Sequence, residues 1–179
     1  AVIIRQNRAL ARKEELTFAR RGLAAVIRDV GWLVHSDADL RNVWVDYQAS
    51  DTVPAVHGDR TQLQQVMLNL FLNAFDAMEE CETDERQVSV RVNSGDVGFV
   101  EVSVRDRGIG LTSDKLDRIF EPFFTTKKEG LGMGLSISRS IVEAHGGHLW
   151  AENNQDRGAT FHLVLPVFPE AETMPDIPI

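Results

Sequence analysis

The sequence predicts an α+β fold, with strands layered against helices. Three observations point there. Apolar residues recur at helical spacing over 63–78 and again over 135–144. Short runs alternating apolar and polar residues lie at 43–47, 88–93, 100–105, 148–152 and 160–165. The last two runs follow the final helix as an antiparallel pair, which a doubly wound parallel sheet does not call for.

In chain order, residues 1 to about 30 are proline-free and rich in Ala, Leu, Arg and Glu. Ile3, Ile4, Leu10, Leu16, Leu23, Val26, Ile27 and Val30 give them the spacing of one or two helical pieces. The cations from Arg8 to Lys13 form a solvated face. Val43–Tyr47 alternates as a strand, and Thr52–His57 suits a second short one. A helix starts at Asp59 or Thr61 and runs to about Glu80. Leu63, Val66, Met67, Leu70, Phe71, Ala74 and Met78 form its apolar stripe. Val88–Asn93 and Val100–Arg105 are strands joined through Ser94-Gly95-Asp96, a turn sequence. Leu116–Phe120 reads as a short helix stopped by Pro122, and 121–133 as a long loop. The helix over 135–144 ends at Gly146-Gly147, a C-cap signal. His148–Glu152 and Thr160–Leu165 close the sheet around the polar turn at 153–158, and the tail from Pro166 reads as irregular. No internal repeat is present.

A chain of 179 residues fits one domain with some length for an appendage. Its 43% hydrophobic and 26% charged residues are ordinary for a soluble protein with a core of good size. The net charge of −8 argues against a nucleic-acid binder held by phosphate contacts. A nucleotide site stays open, because one local cation is enough there. Cys81 is the single cysteine, so a disulfide framework and a Cys-based metal site are excluded, and a reducing cytosolic compartment fits. No apolar run approaches the length of a membrane span, and the first residues lack a signal-peptide pattern. If the parent protein is membrane-bound, its anchor is expected outside this chain.

Several groups could carry chemistry. Gly130-Leu131-Gly132-Met133-Gly134-Leu135 precedes a helix, with Lys127 just ahead of it. Alternating glycines let backbone close around an oxyanion, and the helix start points N–H groups and a positive dipole end at the same place. Asn69 and Asn73 are one helical turn apart beside the apolar stripe, with Asp76 three residues on. Two amide oxygens and a carboxylate suit a hard cation such as Mg²⁺. Asp106 ends a strand before Gly108 and Gly110, where a carboxylate can accept from an exocyclic amine such as that of adenine. Thr160, at the start of the last strand, could set a hydroxyl beside a purine. Taken singly, each has a plainer account: a loop, a helix edge, a strand-ending turn, a strand-start threonine. His145 and His148 read as a helix-end and a strand residue and not as a metal pair; His35 reads as surface, His57 and His162 as structural, and Cys81 as inert.

Taken together, these segments resemble the catalytic, ATP-binding domain of sensor histidine kinases, within the larger group that includes gyrase and MutL. The resemblance covers roughly residues 55–165. Gln64–Met78 (QQVMLNLFLNAFDAM) is similar to the family's N box, Asp106–Gly110 (DRGIG) to its G1 box and Phe120–Lys127 (FEPFFTTK) to its F box. Gly130–Leu135 is similar to the G2 box, and Gly158–Phe161 to the last glycine-threonine element. The segments come in the family's order and spacing. The fold that this implies is a two-layer α/β sandwich of the Bergerat type: a mixed, mostly antiparallel sheet, helices on one face, ATP between helices and lid.

The resemblance implies ATP and Mg²⁺ as ligands and assigns roles by position. Asn73 would hold the metal, with Asn69 near the phosphates and Asp76 on the same side. Asp106 would bind the adenine amine, and Gly108, Ile109 and Gly110 would admit the base. Thr126 and Lys127 would meet the terminal phosphates, and Asn69 and Lys127 would act in catalysis. Gly130, Leu131, Gly132, Met133, Gly134 and Leu135 would form the mobile lid, and Thr160 would flank the adenine. Arg107 stands where the family usually has Asn, and its side chain is expected in solvent.

One departure is large. The family's phosphoacceptor histidine sits on a helical hairpin, followed by Glu or Asp with a proline downstream, and none of the five histidines has that setting. Residues 1–18 resemble the tail of that hairpin, 19–168 the catalytic domain and 169–179 an irregular tail. The expected partners are therefore ATP or ADP, a histidine-bearing dimerisation domain of the same parent and a response-regulator receiver domain, without nucleic acid or membrane contact. The parent would be a dimer, and this piece could be monomeric. Two other functions compete. An ATP hydrolase of the gyrase or MutL kind would need a glutamate where Asn69 stands, although Asp76 is near. A nucleotide-sensing or docking module would be expected to lose Asn73 or Lys127, and both are present.

Overall fold

The structure, a computed structural model, describes residues 18–50, 53–125 and 131–168. The elements are β1 (Phe18–Arg21), α1 (Leu23–Leu40), β2 (Trp44–Ala49), β3 (Val56–Asp59), α2 (Arg60–Ala77), β4 (Gln87–Ser94), β5 (Phe99–Asp106), α3 (Ser113–Arg118), α4 (Gly134–Ala144), β6 (His148–Asn153) and β7 (Ala159–Pro166).

The sheet follows from alternation. Val88, Val90 and Val92 on β4, Val100, Val102 and Val104 on β5, and Phe161, Leu163 and Leu165 on β7 are buried on one face. Branched and aromatic side chains at every second position give a strand one apolar side. Ser89, Arg91, Ser103, Arg105 and His162 fall on the other face. Strand order is β2-β4-β5-β7-β6, with β2 parallel to β4 and the other pairs antiparallel. Val88 lies opposite Asp106, and Arg105 opposite Thr160. A separate two-stranded sheet pairs β1 with β3, Phe18 opposite Asp59.

Helices cover the apolar face, with α2 between α1 and α4. Leu63, Val66, Met67, Leu70, Phe71 and Ala74 of α2 are each at most 1% exposed, so the expected stripe is the centre of the core. Asp59 caps α2 by accepting from the Gln62 amide at 3.0 Å. Beyond its other end, Arg86 donates to the carbonyls of Cys81, Glu79 and Arg41 at 2.8–3.0 Å. These bonds satisfy carbonyls that a helix end and its turn leave open.

The mixed, mostly antiparallel sheet under one helical layer agrees with the expected sandwich. The first segment differs. Where helix was expected up to about residue 30, residues 18–21 form a strand and the helix then runs from Leu23 to Leu40. Phe18 explains the strand: its ring packs on His57 at 5.3 Å and on His145 at 4.6 Å, contacts that a helix continuing into α1 would break. Val34 and Ala38 explain the longer helix, because they extend the buried stripe past Gly31. The expected helix over 116–120 lies a few residues earlier, at Ser113–Arg118. The rest of the expected hairpin tail and the segment 169–179 lie outside the described residues. Among the described residues no helix is long and apolar enough to cross a membrane.

Candidate functional site

The site is built along one side of α2. Near its middle, Asn69 Nδ2 donates to Ser138 Oγ of α4 at 3.1 Å. A Cβ placed on Gly134, the first residue of α4, would sit far inside contact distance of Asn69 Oδ1. Any larger residue at 134 would have to displace the Asn69 amide. Asn73 follows one turn later and is half-buried. Asp76 Oδ1 accepts from Arg41 Nη1 at 2.6 Å, and Arg41 Nε also donates to Asp37. Partial burial pulls the Arg41 pKa down, but hydrogen bonds and charge from Asp76 and Asp37 outweigh it and leave the value raised.

At the C-terminal end of α2, the turn after β5 docks. Ile109 N donates to the Ala77 carbonyl at 3.1 Å, and a Cβ on Gly108 would lie 2.5 Å from that oxygen. Asp106 therefore stands on the inner face of the sheet, 2% exposed, beside the helix end. Its Oδ1 accepts from Gly108 N at 2.8 Å and Ala159 N at 3.2 Å. Burial pushes the carboxyl above its ordinary range, and those two amides and the Arg105 charge pull it only partly back. Gly110 lies against Asn153, which holds Leu111 through both its main-chain groups at 2.5 and 2.8 Å. Ile109 is left exposed.

The glycine loop returns over the Phe123-Phe124 backbone. A Cβ on Gly132 would lie 2.6 Å from the Phe123 carbonyl carbon. Met133 and Leu135 are half-buried around the start of α4, and Leu131 and Phe123 are exposed. Thr126, Lys127 and Gly130 lie outside the described residues.

Thr160 requires a correction. It lies opposite Arg105 and Glu152 on the outer face of the sheet, and its Oγ1 donates to Asn154 Oδ1 at 2.6 Å. With Ser89, Arg91 and His162 it lines an outer cleft of about 510 Å³, on the far side of the sheet from α2. Strand alternation assigns the inward place to Ala159, whose amide meets Asp106. Arg107 is exposed, as expected.

Two contributions escaped the sequence. Asn154 donates from Nδ2 to the carbonyls of Asp106 and Arg157, tying the Asp106 turn to the loop before β7. The paired Asn153-Asn154 in a turn was the available signal. Ser138 is 1% exposed on α4, and its signal was a hydroxyl on the face of Ile141 and Val142. His145 is buried; its Nε2 accepts from Asp59 N at 3.0 Å and its Nδ1 bonds the Ile141 carbonyl at 2.7 Å, so it joins the end of α4 to the start of α2. His35 is exposed beside Asp39, and His162 stacks on Trp150.

From Asn69 to Ala77 the site spans about 12 Å of helix axis. One end offers a buried carboxylate and main-chain groups. The other offers amides and the positive N-terminal end of α4. That length suits a nucleoside bearing a chain of phosphates better than a bare anion. Asn69 and Asn73 carry hard amide oxygens of the kind Mg²⁺ takes, and the missing Cβ at Gly134 lets Asn69 Oδ1 lie close against the start of α4.

The model of the histidine kinase-, DNA gyrase B- and HSP90-like ATPases matches residues 58–169. The sensor protein FixL of Bradyrhizobium diazoefficiens is 40% identical over 168 residues, covering 94% of this chain and 33% of that protein. Sporulation kinase E of Bacillus subtilis is 35% identical, covering 95% and 22%. The chain thus spans a third or less of these curated relatives. The catalytic domain of histidine kinase ThkA, in a nucleotide-free form, superposes with a TM-score of 0.75 at 32% identity, covering 84% of this chain and 96% of that one. Full-length ShkA in complex with AMPPNP gives a TM-score of 0.75 at 28% identity, covering 94% and 35%.

Proposed function

The chain belongs to the histidine kinase-, DNA gyrase B- and HSP90-like ATPase family, and from that premise we propose that it is the ATP–Mg²⁺-binding catalytic domain of a sensor histidine kinase. It would pass the γ-phosphoryl group of ATP to a histidine on a dimerisation domain outside this chain, for relay to a response regulator. The carrying observation is the arrangement along α2: buried Asp106 beside one end, and Asn69 against the start of α4 at the other, with Asn73 one turn on.

Phosphoryl transfer needs positioning and charge neutralisation more than covalent help from the protein. Asp106 accepts from the adenine amine, and the backbone of Gly108, Ile109 and Gly110 lines the base. Asn73 would hold Mg²⁺, with Asn69 near the phosphates, and the ion would supply charge neutralisation there when bound. By the family resemblance Thr126 and Lys127 would meet the terminal phosphates, and 130–135 would correspond to the lid. Residues 1–18 would continue from the dimerisation hairpin, 19–168 form the catalytic unit and 169–179 a tail. The unit would work in the cytoplasm. Among its neighbours, histidine kinase ThkA is known in complex with the response regulator protein TrrA, which supports a receiver-domain partner. A hydrolase is the weaker alternative: Asn69 cannot serve as a base, and Asp76 is held at 2.6 Å by Arg41.

Calorimetry tests the site. The parent is expected to bind Mg²⁺–ATP, with Asn73→Ala and Asp106→Asn each weakening it at least about tenfold. Unchanged affinity in both variants would sink the assignment. Incubation with radiolabelled ATP tests the division of labour, because this chain should not label itself. Stable, acid-labile label on it would place an acceptor histidine within these residues.

A further inference from the structure

Helix α4 carries Ser136, Ser138 and Ser140 at alternate positions. Ser136 and Ser140 donate back into their own backbone, to the carbonyls of Met133 and Ser136. Ser138 differs. It is 1% exposed, and its Oγ accepts from Asn69 Nδ2 across the α2–α4 contact. Its buried companions on α4 are Ile141 and Val142, and Leu70 and Val66 flank Asn69 on α2. A polar pair within an apolar helix contact adds little net stability over a well-packed apolar pair. A reason for its presence lies in what it orients.

We propose that Ser138 is a positioning residue that fixes the orientation of the Asn69 amide, so that Asn69 offers Oδ1, not Nδ2, to the metal–phosphate end of the site. This rests on the ATP–Mg²⁺ reading above. With one Nδ2 hydrogen bonded to Ser138, the acceptor Oδ1 lies against the start of α4, where Gly134 has no side chain. A carbonyl oxygen there attracts Mg²⁺ or a water on it, and repels a phosphate oxygen. Asn69 thus acts on the metal side, and the first turns of α4 set both the lid hinge, at Gly134, and the orientation of the amide, at Ser138.

The test is calorimetry on Ser138→Ala, Asn69→Ala and the double variant, each titrated with Mg²⁺–ATP and with ATP in chelator. Ser138→Ala frees the amide to rotate. It is expected to weaken Mg²⁺–ATP about 3- to 10-fold while leaving metal-free ATP affinity and the melting temperature nearly unchanged. The double variant should bind no worse than Asn69→Ala alone, because the two act as one unit. Ser138→Thr, which keeps the hydroxyl, should recover most of the metal-dependent affinity. Equal losses with and without metal, or additive losses in the double variant, would overturn the proposal. A parent that binds no ATP would defeat the functional assignment instead, so the two failures are distinguishable.

Discussion

At the scale of single residues, Asp106 shows what burial costs and what it provides. Its carboxyl is pushed up by desolvation, more than the Gly108 and Ala159 amides pull it down. The folded state therefore holds a proton that the unfolded chain releases near the ordinary value of 3.8. By linkage, the stabilising contribution is present at low pH and is lost as pH rises through the raised folded value. Asp106→Asn removes this dependence. Its stability relative to the parent should grow as pH rises above 3.8 and then level off, while nucleotide affinity falls. Paired denaturant titrations across pH, with binding at neutral pH, check both; a pH-independent difference would show that burial does not dominate. The sequence marked Asp106, Asn69 and Asn73 by residue type and spacing. The alternation of Phe161, Leu163 and Leu165 also assigned Thr160 to the opposite, outer face, a pattern that a place beside the base overlooks.

At the scale of elements, α2 organises the site through its two ends. Arg86 ties the carbonyls beyond its C-terminus to the end of α1. Arg86→Ala leaves several of those carbonyls without their donor and should cost about 1.5–3 kcal/mol, seen as a lower urea midpoint with an unchanged slope. Gly108 is a second point of contact. Gly108→Ala would drive a methyl into the Ala77 carbonyl, lift the Asp106 turn from the helix and abolish most ATP binding, at a stability cost of about 1–3 kcal/mol. Native folding with parental affinity would contradict that docking. The helical and strand periodicities were readable because each element has one buried side. β1 was not readable: Phe18–Arg21 has no alternation of its own, and its partner β3 lies far along the chain.

At the scale of the whole molecule, core and site are one construction, since the helix that fills the core also carries Asn69 and Asn73. Leu70, fully buried between them, links the two. Leu70→Ala should cost about 2–5 kcal/mol and reduce Mg²⁺–ATP affinity with it. A variant that loses stability but binds as the parent would separate core from site. The sequence by itself determined the layered α+β class, the apolar stripe of α2, the order of the boxes and the amide and carboxylate groups of the site, because all of these are local patterns of period, turn and residue type. Only the tertiary structure decided that Ser138 partners Asn69, that Arg41 occupies Asp76 and that Asn154 braces the Asp106 turn. Those pairings join residues brought together by sheet register and helix packing, and neither leaves a local trace in the chain.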